Sequence, residues 1–185
     1  MASVAEGTIT TERDDILLRP YGTDMTANLV AVANHEEIAR YMSDRFPYPY
    51  TQADAESWIA FATSQDPVTS YAVIVDGSFV GGVGAEEKDG ELSGTFEMGW
   101  WLTPSAWHKG ILAVAGRALL DEVFSSRGAM RIEAPVMDAN PNSGRVAEKI
   151  GMVLECTSPS RYVKHGVRYD QLMYGITRER WEASR

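Results

Sequence analysis

One stretch of the sequence places a strand, a short loop and a helix start in an order that can bind an anion. It comprises TFEMGWWL, TPSAW and HKGILAVAG over residues 95–116. Exposed N–H groups at a helix start attract negative charge, the helix dipole adds to that attraction, and Gly110 allows a pyrophosphate to approach the backbone closely. An ordinary strand-to-helix turn has the same spacing, and neither G-x-x-x-x-G-K-[ST] nor a helix-opening G-x-G-x-x-G is present. The stretch alone leaves both interpretations open.

The elements that must position this stretch follow the order β-αα(α)-βββ-α-β-α-ββ. The apolar period is two residues in the middle of the chain and becomes helical over residues 106–126, which separates strands from the long helix. Strands are predicted over residues 16–19, 71–75, 78–85, 95–102, 131–137, 152–162 and 167–176. Helices are predicted over residues 24–32, 35–42, 51–64, 106–126 and 140–150.

Composition narrows the class of protein. The 185 residues are 44% hydrophobic, which fits one globular domain, and we expect it over residues 16–181 after a flexible N-terminus at 1–15. The net charge of −9 is the opposite of a nucleic-acid-binding footprint. No signal peptide or membrane span is visible, so we expect a cytoplasmic protein. The single cysteine, Cys156, and three scattered histidines predict neither a disulfide nor a metal site.

Several motifs in a fixed order make the sequence resemble the GNAT acetyltransferase superfamily, most closely its branch similar to ribosomal-protein-alanine N-acetyltransferases. The most specific match is NPNSGRVAEKIGM at residues 140–152, which is similar to NxxSxRVxEKxGF. The others are LLRP at 17–20, PYPYT at 47–51, GGVG at 81–84, EMGWWL at 97–102 and WHKGILAVA at 107–115. The resemblance implies a mixed α/β fold with a largely antiparallel central sheet, helices on both faces and a splayed strand pair that binds CoA.

The resemblance also implies where acetyl-CoA binds. The cofactor would lie between the strand ending at Leu102 and the strand at residues 132–137, with its pyrophosphate on backbone N–H groups of residues 109–113. His108 stands where the family usually has glycine, and Leu112 adds bulk where Ala or Gly is common. The residues expected to contact the cofactor are Trp101, Leu102, Thr103, His108, Lys109, Gly110, Ile111, Leu112, Ala113, Asn140 and Arg145.

Acetyl transfer to an amine would require a base, an oxyanion donor and a group that protonates the thiolate. Glu97, in a half-buried strand beside Trp101, is the expected base, although a solvated strand glutamate fits equally well. A backbone N–H near Trp101 or Leu102 would bind the oxyanion. Ser143 would protonate the departing thiolate, and Asn140 would hold the pantetheine. Alternatively, both residues could cap the helix that follows.

The resemblance leaves the acceptor open. Tyr48 and Tyr50 resemble the segment that lines the acceptor entrance, although a proline-aromatic loop packed on the core is an equal alternative. The acceptor would be a protein N-terminus or a small amine. We expect the protein to act as a monomer or a homodimer and to need no metal. The alternative function is a non-catalytic acyl-CoA-binding or regulatory module of the same fold.

Overall fold

This computed structural model describes residues 6–185, which contain eight strands and six α-helices. The strands are β1 Ile9–Thr10, β2 Ile16–Pro20, β3 Ser70–Val75, β4 Ser78–Glu87, β5 Thr95–Leu102, β6 Arg131–Met137, β7 Val153–Lys164 and β8 Val167–Thr177. The α-helices are α1 Thr26–Ala33, α2 Glu36–Ala39, α3 Gln52–Thr63, α4 Ile111–Ser126, α5 Pro141–Lys149 and α6 Arg178–Ala183. The described chain divides into two compact units.

The first unit comprises the described residues up to Gly84 together with Trp100–Leu119. Its strands lie in the order β1-β2-β3-β4-β5, and β1 to β4 pair antiparallel. Helices α1 and α3 pack over this part of the sheet, because their apolar residues and those of the strands form one buried cluster. The cluster contains Tyr21, Met25, Leu29, Ala33, Tyr50, Ala55, Ile59, Ala62, Ala72, Ile74 and Phe79.

Helix α3 begins where the sequence predicts because its first turn has both halves of a capping box. The Thr51 hydroxyl accepts from the Asp54 N–H at 3.3 Å, and the Asp54 carboxylate accepts from the Thr51 N–H at 2.8 Å. These bonds occupy backbone donors that have no partner inside the helix. Hydrogen bonding to Thr51 also holds the pKa of the Asp54 carboxyl below its ordinary value.

The second unit comprises Ala85–Gly99 and Leu120–Arg185. Its strands lie in the order β4-β5-β6-β8-β7; β6, β8 and β7 pair antiparallel, whereas β5 and β6 are parallel. In the described chain, the parallel ladder joins only Thr95–Glu97 to Arg131–Glu133, although both strands continue beyond it. Two strands that splay apart share only a short ladder of this kind. The rings of Phe124 and Trp181 stack in the core of this unit at a centroid distance of 5.0 Å.

The predicted fold class, a mixed α/β protein with a mostly antiparallel sheet, is confirmed. Helix α4 is shorter than predicted: residues Pro104–Ala106 form a 3-10 turn, and Gly110 has a φ of +74°, which an α-helix does not accommodate. Within the N-terminus expected to be flexible, Ile9–Thr10 pairs with β2 as strand β1; residues 1–5 lie outside the described part. The single domain over residues 16–181 stays a prediction. No helix of the described residues is long and apolar enough to cross a membrane.

Candidate active site

The end of strand β5 is fixed from both sides within the first unit. Leu102 and Thr103 are buried, and the Thr103 N–H donates to the Val80 carbonyl of β4 at 2.9 Å. The Trp107 indole N–H donates to the Leu102 carbonyl at 2.9 Å, so the chain folds back on itself directly after the strand. These two bonds set the direction in which the following loop leaves the sheet.

Gly81 on β4 allows the backbone of β5 to approach closely at this point. A Cβ at Gly81 would lie 2.8 Å from the Leu102 Cα and even closer to the Trp101 carbonyl oxygen. Real Cβ atoms essentially never come that close to backbone, so only glycine fits here. Gly81 therefore serves the packing of β4 against β5.

The loop His108–Gly110 leads from this strand end into helix α4, and its three residues are exposed. His108 and Gly110 have left-handed backbones, with φ of +60° and +74°. A Cβ at Gly110 would meet nothing within 4 Å, so the main chain faces open space at the helix start. The Ala113 N–H, one of the predicted pyrophosphate donors, already donates to the Gly110 carbonyl at 3.1 Å. The remaining predicted donors lie at residues 109–112.

One cation beside this loop was not predicted from the sequence. The Arg13 guanidinium donates to the Lys109 carbonyl at 3.4 Å and pairs with the Asp15 carboxylate at 2.5 Å. That pairing holds the pKa of the Asp15 carboxyl below its ordinary value. Because 96 residues separate Arg13 from Lys109, no local pattern joins them.

The residues of the loop suit an anionic ligand. An exposed glycine, the free end of a helix dipole and the side chains of Lys109 and Arg13 are features that attract an anion. Leu112 is half-buried, and the side chains of Ile111 and Ala113 are buried in the fold. Their backbone is therefore the part of these residues that a ligand could use.

Aromatic side chains surround Trp101 in the first unit. Its half-buried indole packs against the rings of Phe46 and Phe79, at centroid distances of 5.3 Å and 6.0 Å. Tyr50 lies against Phe46 and is buried, which raises the pKa of the Tyr50 hydroxyl to about 12. Tyr48 is 52% exposed. Of the two predicted acceptor residues, Tyr50 thus packs in the core and Tyr48 faces solvent.

Tyr21 was missed by the sequence analysis and lies behind this aromatic group. It is 6% exposed, and both its hydroxyl and the Trp101 indole nitrogen would collide with a Cβ at Gly82. Burial raises the pKa of the Tyr21 hydroxyl. Among the described residues, none meets the hydroxyl in hydrogen-bond geometry.

Glu97 lies in the second unit, beside a cation. The side chain is 48% exposed, which agrees with the alternative of a solvated strand glutamate, and its carboxylate lies 3.2 Å from the Lys88 ammonium. Lys88 also donates to the carboxylate of Glu133, the residue directly opposite Glu97 in the parallel ladder. The alternation of the strand predicted the face of Glu97 but not the cation beside it. Its role as the base stays a prediction.

Asn140 and Ser143 form the start of helix α5 in the second unit. Asn140 is the N-cap, and its side-chain oxygen accepts from the Ser143 N–H at 3.3 Å. The capping alternative therefore describes Asn140, while contacts of both residues with CoA stay predictions. Arg145 is exposed and donates to the Asn142 side chain at 2.9 Å.

The mixed sheet, its short parallel ladder and the exposed loop at the start of α4 define a mixed α/β fold. Residues 15–153 match the family model described as "Acetyltransferase (GNAT) domain". The chain belongs to the GNAT acetyltransferase family and is a transferase. The family inferred from the sequence motifs is thereby confirmed.

Known proteins agree with this assignment. The chain is 25% identical over 113 residues to the "Putative ribosomal N-acetyltransferase YdaF" of Bacillus subtilis, a match that covers 61% of each protein. It is similar to a GNAT-family acetyltransferase structure from Bacillus anthracis, with a TM-score of 0.80, 24% identity and coverage of 93% of this chain and 99% of that one. It also resembles the microcin C7 self-immunity acetyltransferase MccE in complex with acetyl-CoA and AMP, with a TM-score of 0.79, 22% identity and coverage of 89% and 93%.

Proposed function

We propose that this protein transfers an acetyl group from acetyl-CoA directly to a primary amine, without a covalent enzyme intermediate. The observation that carries the proposal is the exposed His108–Gly110 loop, which joins the fixed end of β5 to the start of α4. In a family of acetyltransferases, a loop of this composition at a helix start is suited to hold the pyrophosphate.

The chain's residues would divide the work as follows. Acetyl-CoA supplies an acyl group already activated as a thioester. Backbone N–H groups of residues 109–112, with Arg13 and Lys109 nearby, would hold the phosphates. A backbone N–H near Trp101 or Leu102 would stabilise the oxyanion, and the close fit of Gly81 would keep that segment in place.

Two side chains would move protons. Glu97 would accept the proton that the amine loses, through a water molecule, because its carboxylate is exposed to solvent. Ser143 would relay a proton to the departing CoA thiolate, giving up its hydroxyl proton and regaining one from water, and Asn140 would hold the pantetheine or a water.

The acceptor would be a protein N-terminus or a small amine. Similarity to the ribosomal acetyltransferase YdaF supports a protein N-terminus. The net charge of −9 favours an acceptor that approaches as a cation.

The test incubates the purified protein with acetyl-CoA and a panel of amines that contains peptides with free N-termini, polyamines and aminosugars. We expect free thiol above the no-amine control and a product heavier by one acetyl group by mass spectrometry. CoA binding by titration, with no turnover on any amine, would contradict the proposal and support the non-catalytic acyl-CoA-binding module.

A further inference from the structure

Lys88 joins two carboxylates of neighbouring strands in the second unit. Its ammonium lies 3.2 Å from the Glu97 carboxylate and donates a hydrogen bond to the Glu133 carboxylate. The Lys88 main-chain N–H donates to the Thr95 carbonyl at 2.8 Å, which anchors the residue against the start of β5. Hydrogen bonding to Glu133 and then to Glu97 raises the pKa of the Lys88 ammonium, so the cation persists at neutral pH.

The position of Lys88 answers an electrostatic problem in the sheet. The parallel register places Glu97 directly opposite Glu133, and like charges facing each other across strands are destabilising. Glu133 is the less exposed of the two, with 13% of its side chain accessible against 48% for Glu97. The bridging cation compensates both carboxylates.

Other charged and titratable groups complete the surroundings. Arg131 of β6 lies 3.3 Å from the Glu133 carboxylate and also pairs with Glu155 of β7. Tyr162 of β7 is half-buried, and burial together with the negative charge of Glu97 raises the pKa of its hydroxyl. Lys88 is thus the group of this set that bonds the Glu97 carboxylate directly.

We propose that Lys88 is a positioning residue for Glu97: its ammonium holds the carboxylate in place, so that Glu97 can accept the amine's proton. Glu133 acts in the opposite sense, because its carboxylate draws the ammonium away from Glu97. The inference rests on the proposed function, in which Glu97 is the base.

Two substitutions with opposite expected effects test the inference. Lys88→Met removes the cation that contacts Glu97, so the acidic limb of the kcat/KM profile should move to higher pH, and kcat/KM should fall more at acidic than at neutral pH. Glu133→Gln removes the opposing charge and should move the same limb to lower pH. Lys88→Arg should restore the wild-type profile, and the KM for acetyl-CoA should stay unchanged throughout.

The matched control is Glu87→Gln, at the residue before Lys88. The Glu87 carboxylate accepts from the Ser93 hydroxyl at 2.9 Å and from the Gly94 N–H at 2.8 Å. Glu87→Gln should therefore leave the acidic limb of the kcat/KM profile in place. A purely structural role for Lys88 would lower activity equally at all pH values. Parallel movement of the limb in Lys88→Met and Glu133→Gln would overturn the inference.

A readout without turnover uses NMR of isotope-labelled glutamate carboxylates. The Glu97 carboxylate signal at neutral pH should shift in Lys88→Met and in Glu133→Gln relative to wild type, because both substitutions alter the contact with the ammonium. An unmoved signal refutes the bridge, and a moved signal with an unmoved kinetic limb refutes the positioning role. Absence of turnover by the wild-type protein on every amine is a different outcome, because it refutes the proposed function itself.

Discussion

Replacing Gly81 with alanine tests whether the backbone at the end of β5 must pack this closely on β4. The added Cβ would lie 2.8 Å from the Leu102 Cα and 2.7 Å from its Cδ2. Because the Cα belongs to a buried strand held by two hydrogen bonds, it cannot move away without cost. Overpacking of this kind costs about 2 kcal/mol, which for a chain of this size lowers the Tm by about 4–8 °C.

The same substitution should impair catalysis. Displacing the Trp101–Leu102 backbone would misplace the proposed oxyanion donor, and loss of such a donor lowers kcat by about a hundredfold. The assay pairs thermal unfolding with steady-state kinetics of thiol release. We expect the KM for acetyl-CoA to change much less than kcat, because the His108–Gly110 loop lies outside the altered contact.

Gly99→Ala is the matched control, since Gly99 lies in β5, the strand that Gly81 of β4 contacts, and its added Cβ would meet nothing within 4 Å. It should be neutral or more stable by about 0.5 kcal/mol. If Gly81→Ala unfolds at the wild-type temperature with the wild-type kcat, the close packing of β4 on β5 has no role in stability or catalysis, and the reasoning is refuted.

Three further predictions concern stability, each measured by urea unfolding. Tyr21→Phe should leave the free energy of unfolding unchanged or raise it by up to about 1 kcal/mol, because the lost hydroxyl is buried without a hydrogen-bonded partner among the described residues; a clear loss would reveal a partner. Thr51→Ala should cost about 1 kcal/mol by removing the capping box of α3, and a neutral result would contradict that role. Arg131 holds the pKa of the Glu155 carboxyl below its ordinary value, so the pair stabilises the fold above the ordinary glutamate pKa and loses its effect as the pH falls through the lowered one. Glu155→Gln should therefore lower the free energy of unfolding at neutral pH. The free energies of unfolding at neutral pH and at about pH 3 should then differ less than in the wild type, and an unchanged difference would refute the linkage.

Local patterns predicted most of the fold. The alternation in TFEMGWWL gave strand β5 its observed bounds, and the Thr51 cap gave α3 its start. Strand β1 was missed because two residues are too short to show a period. The start of α4 was misplaced because the loop before it contains good helix formers, and the left-handed residue at Gly110 decides against them.

The candidate site was predictable only in part. Motif order located the His108–Gly110 loop and Glu97, since both lie in continuous stretches of sequence. The ionic partner of Glu97 depends on strand register, and the contact of Arg13 with Lys109 joins distant parts of the chain. A single sequence contains neither piece of information, because both arise only when the strands have been paired.

The two left-handed residues beside Lys109 have a consequence for binding thermodynamics. A non-glycine residue such as His108 adopts this conformation at a cost in free energy, and the fold holds it there before any ligand arrives. Phosphate binding to an already ordered loop loses less conformational entropy than binding to a loop that must first be arranged. Affinity for CoA would then arise from preorganisation as well as from charge, which suits a protein whose overall charge repels a polyanion.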